Sequence, residues 1–340
     1  MNRVMTRELA DAGWLRESLF LWDRRADTEQ TGLAVQGYGE ARQPFVRAIA
    51  RKAVLGGRGA WLCTHINYAP LVLAACAVRR RPVGLIAHAA ELDEGMTETK
   101  RRALGRVSRV FAVSAYTAAK VRALGRVRPT VVVPNGVDDP CPAGPPVRPA
   151  NLPVRVLFVG RMDEVYKGQA ELIDAVAVLR NRCPDLRLVF VGGSPAVERW
   201  RSEAAARGVG DRVEFTGRVS DAELDRQFRQ ATIFAMPSQN EGFGLVYAQA
   251  MAYGLPCIGS ERDAAGEVIA PGKTGLCVPV KNVPALAAAI DTLAKSPDLR
   301  AAMGQAGRAR FEAQFTEGRY RERFLAAIGH WLRGEGVQAE

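Results

Sequence analysis

Short apolar runs separated by longer amphipathic stretches recur along the chain in two series, and this rhythm leaves few folds open. The first series is AWLCTHI (60–66), RPVGLIAH (81–88), RVFAVS (109–114) and TVVVP (130–134), with helical patterns such as TKRRALGRV and YTAAKVRAL between them. The second is VRVLFVG (154–160), LRLVFVGG (186–193), RVEFTG (212–217), ATIFAMPS (231–238), LPCIGS (255–260) and GLCVPV (275–280). Strands without polar alternation must be covered on both faces, which predicts an α/β chain of parallel, doubly wound sheets. Between the series, NGVDDPCPAGPPVRPANLP carries six prolines from Pro140 to Pro153 and reads as a stiff linker. The 340 residues are enough for two domains with their own cores, about 1–145 and 150–315. Two such domains predict a cleft where ligand meets strand C-terminal ends. The final stretch, 316–340, is helical in pattern, with Phe324, Leu325, Ile328 and Leu332 on one side.

Several classes are excluded by what the sequence lacks. The longest apolar run, Ala69 to Val78, is about half the roughly 20 residues a bilayer requires. The N-terminus has no apolar signal-peptide stretch, which points to the cytoplasm. Cys63, Cys76, Cys141, Cys183, Cys257 and Cys277 are scattered without a C-x-x-C pair, the pattern of reduced, mostly buried thiols. Three histidines and no H-E-x-x-H argue against a catalytic metal. No G-x-G-x-x-G follows a strand, since GGRGAW (56–61) precedes one; the P-loop and the G-x-S-x-G elbow are absent.

Charge is uneven. Residues 1–140 hold 22 Lys/Arg against 13 Asp/Glu, a net of +9; residues 141–340 hold 25 against 23, a net of +2, which together give the chain's +11. Arg79, Arg80 and Arg81 and the group Lys100, Arg101, Arg102, Arg106 and Arg109 contribute to the excess. A solvated arginine-rich surface accounts for it, and so does a footprint for an anionic membrane face or an acidic acceptor. Nucleic acid fits less well, because no zinc finger, aromatic ribonucleoprotein motif or basic heptad accompanies the charge.

Three places could carry chemistry. In VLFVGRMDEVYKG (156–168) a strand ends at Gly160, Arg161 and Lys167 follow across an irregular turn, and a helix begins at Gln169. A helix N-terminus beside two cations is a phosphate site, although Arg161 would serve equally as a surface residue. In PSQNEGFGLVYAQAMAYGLPCIGS (237–260) a loop with Gly242 and Gly244 leads into a helix from Leu245. Glycines admit a ligand close to the backbone; Glu241 and Gln249 could grip hydroxyls at two points, or Glu241 could serve only the helix dipole. Third, His88 ends the strand RPVGLIAH, and His65 in CTHINYAP is similarly placed, facing the presumed cleft. His330 reads as structural.

Taken in order, these pieces resemble the retaining glycosyltransferases of family 4, which have the GT-B fold of two Rossmann-like domains. The stretches that carry the resemblance are CTHINYAPLVLA, LIAHAAELDE, FAVSAYTAAKV, VVVPNGVD, LFVGRMDEVYKGQAELIDAV, LVFVGG, VEFTGRVSDAEL, PSQNEGFGLVYAQAMAYGLPCIGS and EVIAPGKTGLCVPV. The family implies transfer of a sugar, a hexose such as glucose or mannose, from a nucleotide diphosphate sugar to an acceptor hydroxyl with retention. It also implies that no metal or further cofactor is required. By resemblance Arg161 and Lys167 hold the diphosphate, Glu241 and His88 serve the sugar near the reaction centre, and Gly242, Phe243, Gly244 and Leu245 cradle the donor. Arg218 and Val219 fall where the family holds the base. His65 and Asn67 lie on the acceptor side, in the N-terminal domain; the final helix is expected to return to that domain. The implied acceptor is a glycan or lipid-linked molecule of polysaccharide or glycolipid synthesis, reached from the inner face of the membrane. A non-catalytic GT-B protein that binds a nucleotide sugar or a partner glycosyltransferase, or a GT-B epimerase or phosphorylase, would share these motifs.

Two departures from the family stand out. Its second glutamate, which accepts from the ribose diol, is Gln249 here, a weaker acceptor. The family also opens with a strand and a Gly-Gly loop, whereas MNRVMTRELADAG reads as a helix from its first residue, with Val4, Met5 and Leu9 as its buried face. The expectation is therefore that Met1 is an internal start, with an apolar strand ending in two glycines encoded in frame upstream, or that this form has lost the strand.

Overall fold

The computed structural model describes residues 2–23, 35–93, 95–125, 129–149 and 152–335. It divides into two compact units, one of 1–135 with 320–340 and one of 136–319. The first runs α1 (Asn2–Asp11), β1 (Ser18–Phe20), β2 (Val35–Gly37), α2 (Arg42–Leu55), β3 (Trp61–Cys63), α3 (Ala69–Ala77), β4 (Val83–Ala87), α4 (Glu98–Leu104), β5 (Arg109–Ala112), α5 (Ala115–Ala123) and β6 (Thr130–Val132). Strands β3-β4-β5-β6 form one parallel sheet in that order, and β1 and β2 pair in parallel as a separate two-stranded sheet. Strand β1 is short, Ser18–Phe20 within the segment WLRESLFLW (14–22). All five residues of β4 are buried, as a strand covered on both faces requires. Side-chain caps fix the helix starts: Thr97 accepts from Lys100 N–H and Ser114 from Thr117 N–H.

The second unit runs β7 (Arg155–Val159), α6 (Gln169–Leu179), β8 (Arg187–Val191), α7 (Val197–Ala206), β9 (Val213–Gly217), α8 (Asp221–Gln230), β10 (Ile233–Ala235), α9 (Leu245–Ala252), β11 (Cys257–Ser260), α10 (Ala265–Val268), β12 (Gly275–Val278), α11 (Val283–Lys295) and α12 (Pro297–Gln314). Its parallel sheet has the order β12-β11-β10-β7-β8-β9. The chain moves outward one way from β7 through β8 and β9, then returns to β10 on β7's other side. The order therefore reverses between β7 and β10, and the loops leaving those two strands open at the point where such sheets bind ligand.

Three expectations are corrected. The proline-rich stretch is not a free linker: the unit boundary precedes it, Cys141 is buried, and Arg148 donates to the carbonyls of Ala231, Tyr253 and Phe228. Residues 150 and 151 of that stretch, like 336–340, lie outside the described residues. The last helix, α13 (Glu317–Leu332), belongs to the first unit from Tyr320 onward. It buries Tyr320, Phe324, Ile328 and Trp331, while Leu332 is 49% exposed. Trp331 wins the inward position because its ring meets Phe111 edge-on and its indole N–H donates to Ser108 Oγ at 2.9 Å. In α1, Met5 is buried but Val4 and Leu9 only half so; Thr6 and Glu8 are buried instead, Glu8 against Arg321 at 2.9 Å. All six cysteines are free, five of them buried.

Candidate functional site

The two loops at the reversal point of the second unit are tied to each other. Gln239 N–H donates to Tyr166 O at 2.8 Å, and Gly168, at φ +89°, lies where a Cβ would come within 2.6 Å of Pro237. Only glycine satisfies both that conformation and that contact. The junction brings Lys167 and Glu241 together across 74 residues of sequence, with Nζ 3.4 Å from Oε2. Lys167 also lies 3.3 Å from Glu164 Oε2 and is 16% exposed. Burial works against its charge, but the carboxylates of Glu241 and Glu164 outweigh that and raise the ammonium above its ordinary value. The group is a fixed cation at neutral pH.

Arg161 is placed differently. Its side chain is 69% exposed and grips Asp163 with two bonds, of 3.2 and 2.7 Å. Solvent makes such a pair weak, so the guanidinium is available to an incoming anion. The turn beneath it is held by Gln169, wholly buried at the first position of α6, whose side-chain amide donates to Arg161 O and Glu164 O at 3.2 Å each. The free amides at the start of α6 lie beside these cations, an arrangement suited to a phosphate.

On the other loop, Gly244 has φ +85°, and a Cβ there would lie 2.3 Å from the Tyr247 ring. That ring is buried under the loop, and its hydroxyl donates to Met236 O. Phe243 is also buried, edge-on to Phe315. Gly242 and Leu245 are half-buried. Gln249 lies half-buried on α9, its side chain without a hydrogen bond to another described residue. Arg218, exposed, and Val219, half-buried, follow β9, on the far side of β8 from the reversal point. A side chain at Gly193 would press on the Arg218 backbone at 3.2 Å.

In the first unit a single carboxylate gathers the expected histidines. Glu91, with 5% of its side chain exposed, accepts from Ile66 N–H at 3.1 Å and from His88 N–H at 3.0 Å, and lies 3.0 Å from His65 Nδ1. His65 Nδ1 accepts from Asn67 N–H when unprotonated and can donate to Glu91 only when protonated. Burial pushes the His88 imidazole down, partly offset by Glu91, so the ring is neutral at physiological pH.

Comparison with known proteins decides the family. Residues 149–310 match the profile of glycosyl transferases group 1, and residues 40–139 that of Glycosyltransferase Family 4. A GDP-mannose-dependent alpha-(1-6)-phosphatidylinositol monomannoside mannosyltransferase of Mycolicibacterium smegmatis is 34% identical over 263 residues, 71% of this chain and 69% of that one. Its Mycobacterium tuberculosis counterpart is 32% identical over 289 residues, 78% and 74% of the two chains. The chain is a family 4 glycosyltransferase.

Its fold is GT-B. The crystal structure of Anabaena HepE in complex with UDP and glucose matches with a TM-score of 0.80 at 21% identity, covering 96% of this chain and 94% of that one. As a glycosyltransferase it uses a nucleotide sugar. Among the described residues no His/Cys/Asp/Glu group has the arrangement of a metal site, and no helix is long and apolar enough to cross a membrane. Within this transferase, Arg161, Lys167, Glu241 and the 242–245 loop come together in the second unit, and His65, Asn67 and His88 in the first. The residues that the sequence did not announce are polar and buried: Glu91, Gln169 and Asp263. Asp263 was visible only as a helix-start pattern two residues before Ala265.

Proposed function

We propose that this glycosyltransferase moves a mannosyl group from GDP-mannose to a hydroxyl of a polyol-headed lipid, with retention at the anomeric carbon. The meeting of Lys167 and Glu241 at the sheet's reversal point carries the reading. It supplies a fixed cation for a diphosphate and, one loop away, a carboxylate that accepts from sugar hydroxyls. As the bond from C1 to the diphosphate oxygen breaks, negative charge grows on the leaving group, and Arg161 and Lys167 stabilise that change more than they stabilise the bound donor. Gly242, Phe243, Gly244 and Leu245 line the sugar, Arg218 and Val219 the base, and Gln249 the ribose, through its amide oxygen. Neutral His88 offers a hydrogen bond to the sugar without competing for the diphosphate, and His65 and Asn67 serve the acceptor. No metal is needed, because the two cations and the start of α6 perform its charge-neutralising role.

The activities of the mycobacterial relatives favour mannose and an inositol-containing lipid. The basic surface of the first unit fits an acceptor presented on an anionic membrane. Incubating the protein with GDP-mannose, GDP-glucose, UDP-glucose and UDP-N-acetylglucosamine on phosphatidylinositol vesicles tests the reading. GDP release from GDP-mannose alone, with an α-linked mannolipid by NMR, is the expected result. Binding of nucleotide sugars without transfer to any acceptor would replace the enzyme by a binding protein.

A further inference from the structure

We infer that Asp263 is a positioning residue for Glu241, fixing the sugar-side loop so that the Glu241 carboxylate stands where a donor hydroxyl can reach it. The inference rests on the donor-site reading of Glu241 given above. Asp263 lies in the loop after β11, the strand next to β10, and is 7% exposed. Its Oδ2 accepts from Glu241 N–H at 2.9 Å and from the hydroxyl of Ser238, and its Oδ1 accepts from Ala265 N–H at 2.9 Å. The neighbouring Ala264 N–H donates to Glu241 O at 3.1 Å. Residues 263 and 264 thus hold both main-chain polar groups of Glu241, while its side chain is left to meet Lys167.

A buried carboxylate is costly unless its oxygens are occupied. Burial pushes Asp263 up, against the three hydrogen bonds that favour its charged form. The fold keeps the charge at a point where three donors converge, two of them from the loop that carries Glu241. An asparagine there has one acceptor oxygen and turns its NH2 toward an N–H or O–H donor. A displacement of about 1 Å in a group that contacts substrate can cost on the order of a hundredfold in rate, so small shifts of this loop are enough to be seen.

The test is a double-mutant cycle on kcat, read as nucleoside diphosphate release from GDP-mannose or whichever nucleotide sugar of the panel above is turned over. Asp263→Asn should lower kcat roughly 10- to 100-fold, with the Kd for the nucleoside diphosphate changed by less than about threefold, because Arg161 and Lys167 stay in place. Glu241→Ala should lower kcat by a comparable or larger factor. The Asp263→Asn/Glu241→Ala protein should be no slower than Glu241→Ala alone, since the positioning residue then has nothing to position. Ser238→Ala, which removes one donor and keeps the carboxylate, is the milder variant; its smaller kcat loss should also vanish in the Glu241→Ala background. Multiplying losses in the double variants, or a kcat within twofold of wild type for Asp263→Asn with only the melting temperature lowered, would overturn this inference alone. Normal turnover of Glu241→Ala would overturn the donor-site reading, and this inference with it.

Discussion

The second unit turns several of its arginines inward onto backbone carbonyls, whereas the first leaves a cluster of them on its surface. In the second, Arg148 straps the proline-rich stretch to three carbonyls, Arg308 grips Asp139 with two bonds and reaches Ala252 O, and Arg310 reaches Glu267 O and Val268 O. In the first, the segment from Ala41 to Ala90 contains eight Lys/Arg and no Asp or Glu. Arg42, Arg47, Arg51, Arg58, Arg79 and Arg80 are exposed there, among Val46, Leu55 and Val78, which are 39%, 69% and 68% exposed. One residue type does two jobs. Inward arginines close backbone that would otherwise be unsatisfied; outward ones, with apolar side chains between them, make a surface suited to anionic lipid. The net charge of the whole chain reports mainly the second kind.

The largest effect should come from the donor site. Lys167→Ala is expected to lower turnover by about 100-fold or more, and Arg161→Ala by a similar factor, the scale for losing one group that stabilises developing charge. The melting temperature should move far less, and a steady-state assay beside a thermal melt checks both. A near-normal rate in either variant would remove that residue from the diphosphate site.

Arginine direction can be tested by a matched pair. Arg308→Met should lower the unfolding free energy by about 2–3 kcal/mol, since it strips charged hydrogen bonds from Asp139 and a buried carbonyl. Arg47→Met, on the exposed face of α2, should change it by less than about 0.5 kcal/mol. Equal losses in urea melts would break the comparison. Its complement is vesicle binding: replacing Arg47, Arg51 and Arg79 by Gln should weaken adsorption to anionic vesicles at low salt by about 1 kcal/mol per residue and leave turnover on a water-soluble acceptor unchanged. Equal partitioning of the unaltered protein onto neutral and anionic vesicles would reduce the outward arginines to solvation.

Gln249→Glu carries the smallest expected change. If the ribose lies there, nucleoside diphosphate should bind as tightly as before or up to about tenfold tighter, roughly 1.4 kcal/mol, by titration calorimetry. A large loss would mean that this position contacts something other than a ribose.

Legibility in the sequence followed the range of the interaction. Strands β4, β7 and β8 were readable because burial on both faces writes a continuous apolar run, and the Gly160–Gln169 segment because strand end, cations and helix start are adjacent. Asp263, Glu91 and Gln169 were not, because a polar residue is buried on account of its partners: Asp263 answers to donors 22 and 25 positions away, and Glu91 to one 25 away. The same holds for the proline-rich stretch, whose composition says stiff and whose Arg148 contacts say anchored. In α13 periodicity favoured Leu332, and only the position of Ser108 and Phe111 explains why Trp331 is inside instead.

The junction of Lys167 with Glu241 also bears on how the protein reaches its native state. Two loops 74 residues apart can meet only after β10 has docked beside β7, a non-local closure that comes late and slowly compared with helix formation. With that junction as the donor site proposed above, no partly folded chain lacking the pairing would present it complete, and a nucleotide sugar would bind the finished sheet and not its precursors. Donor supply then stabilises the native state by mass action. The cell's nucleotide-sugar level would set not only how fast this transferase works but how much of it persists.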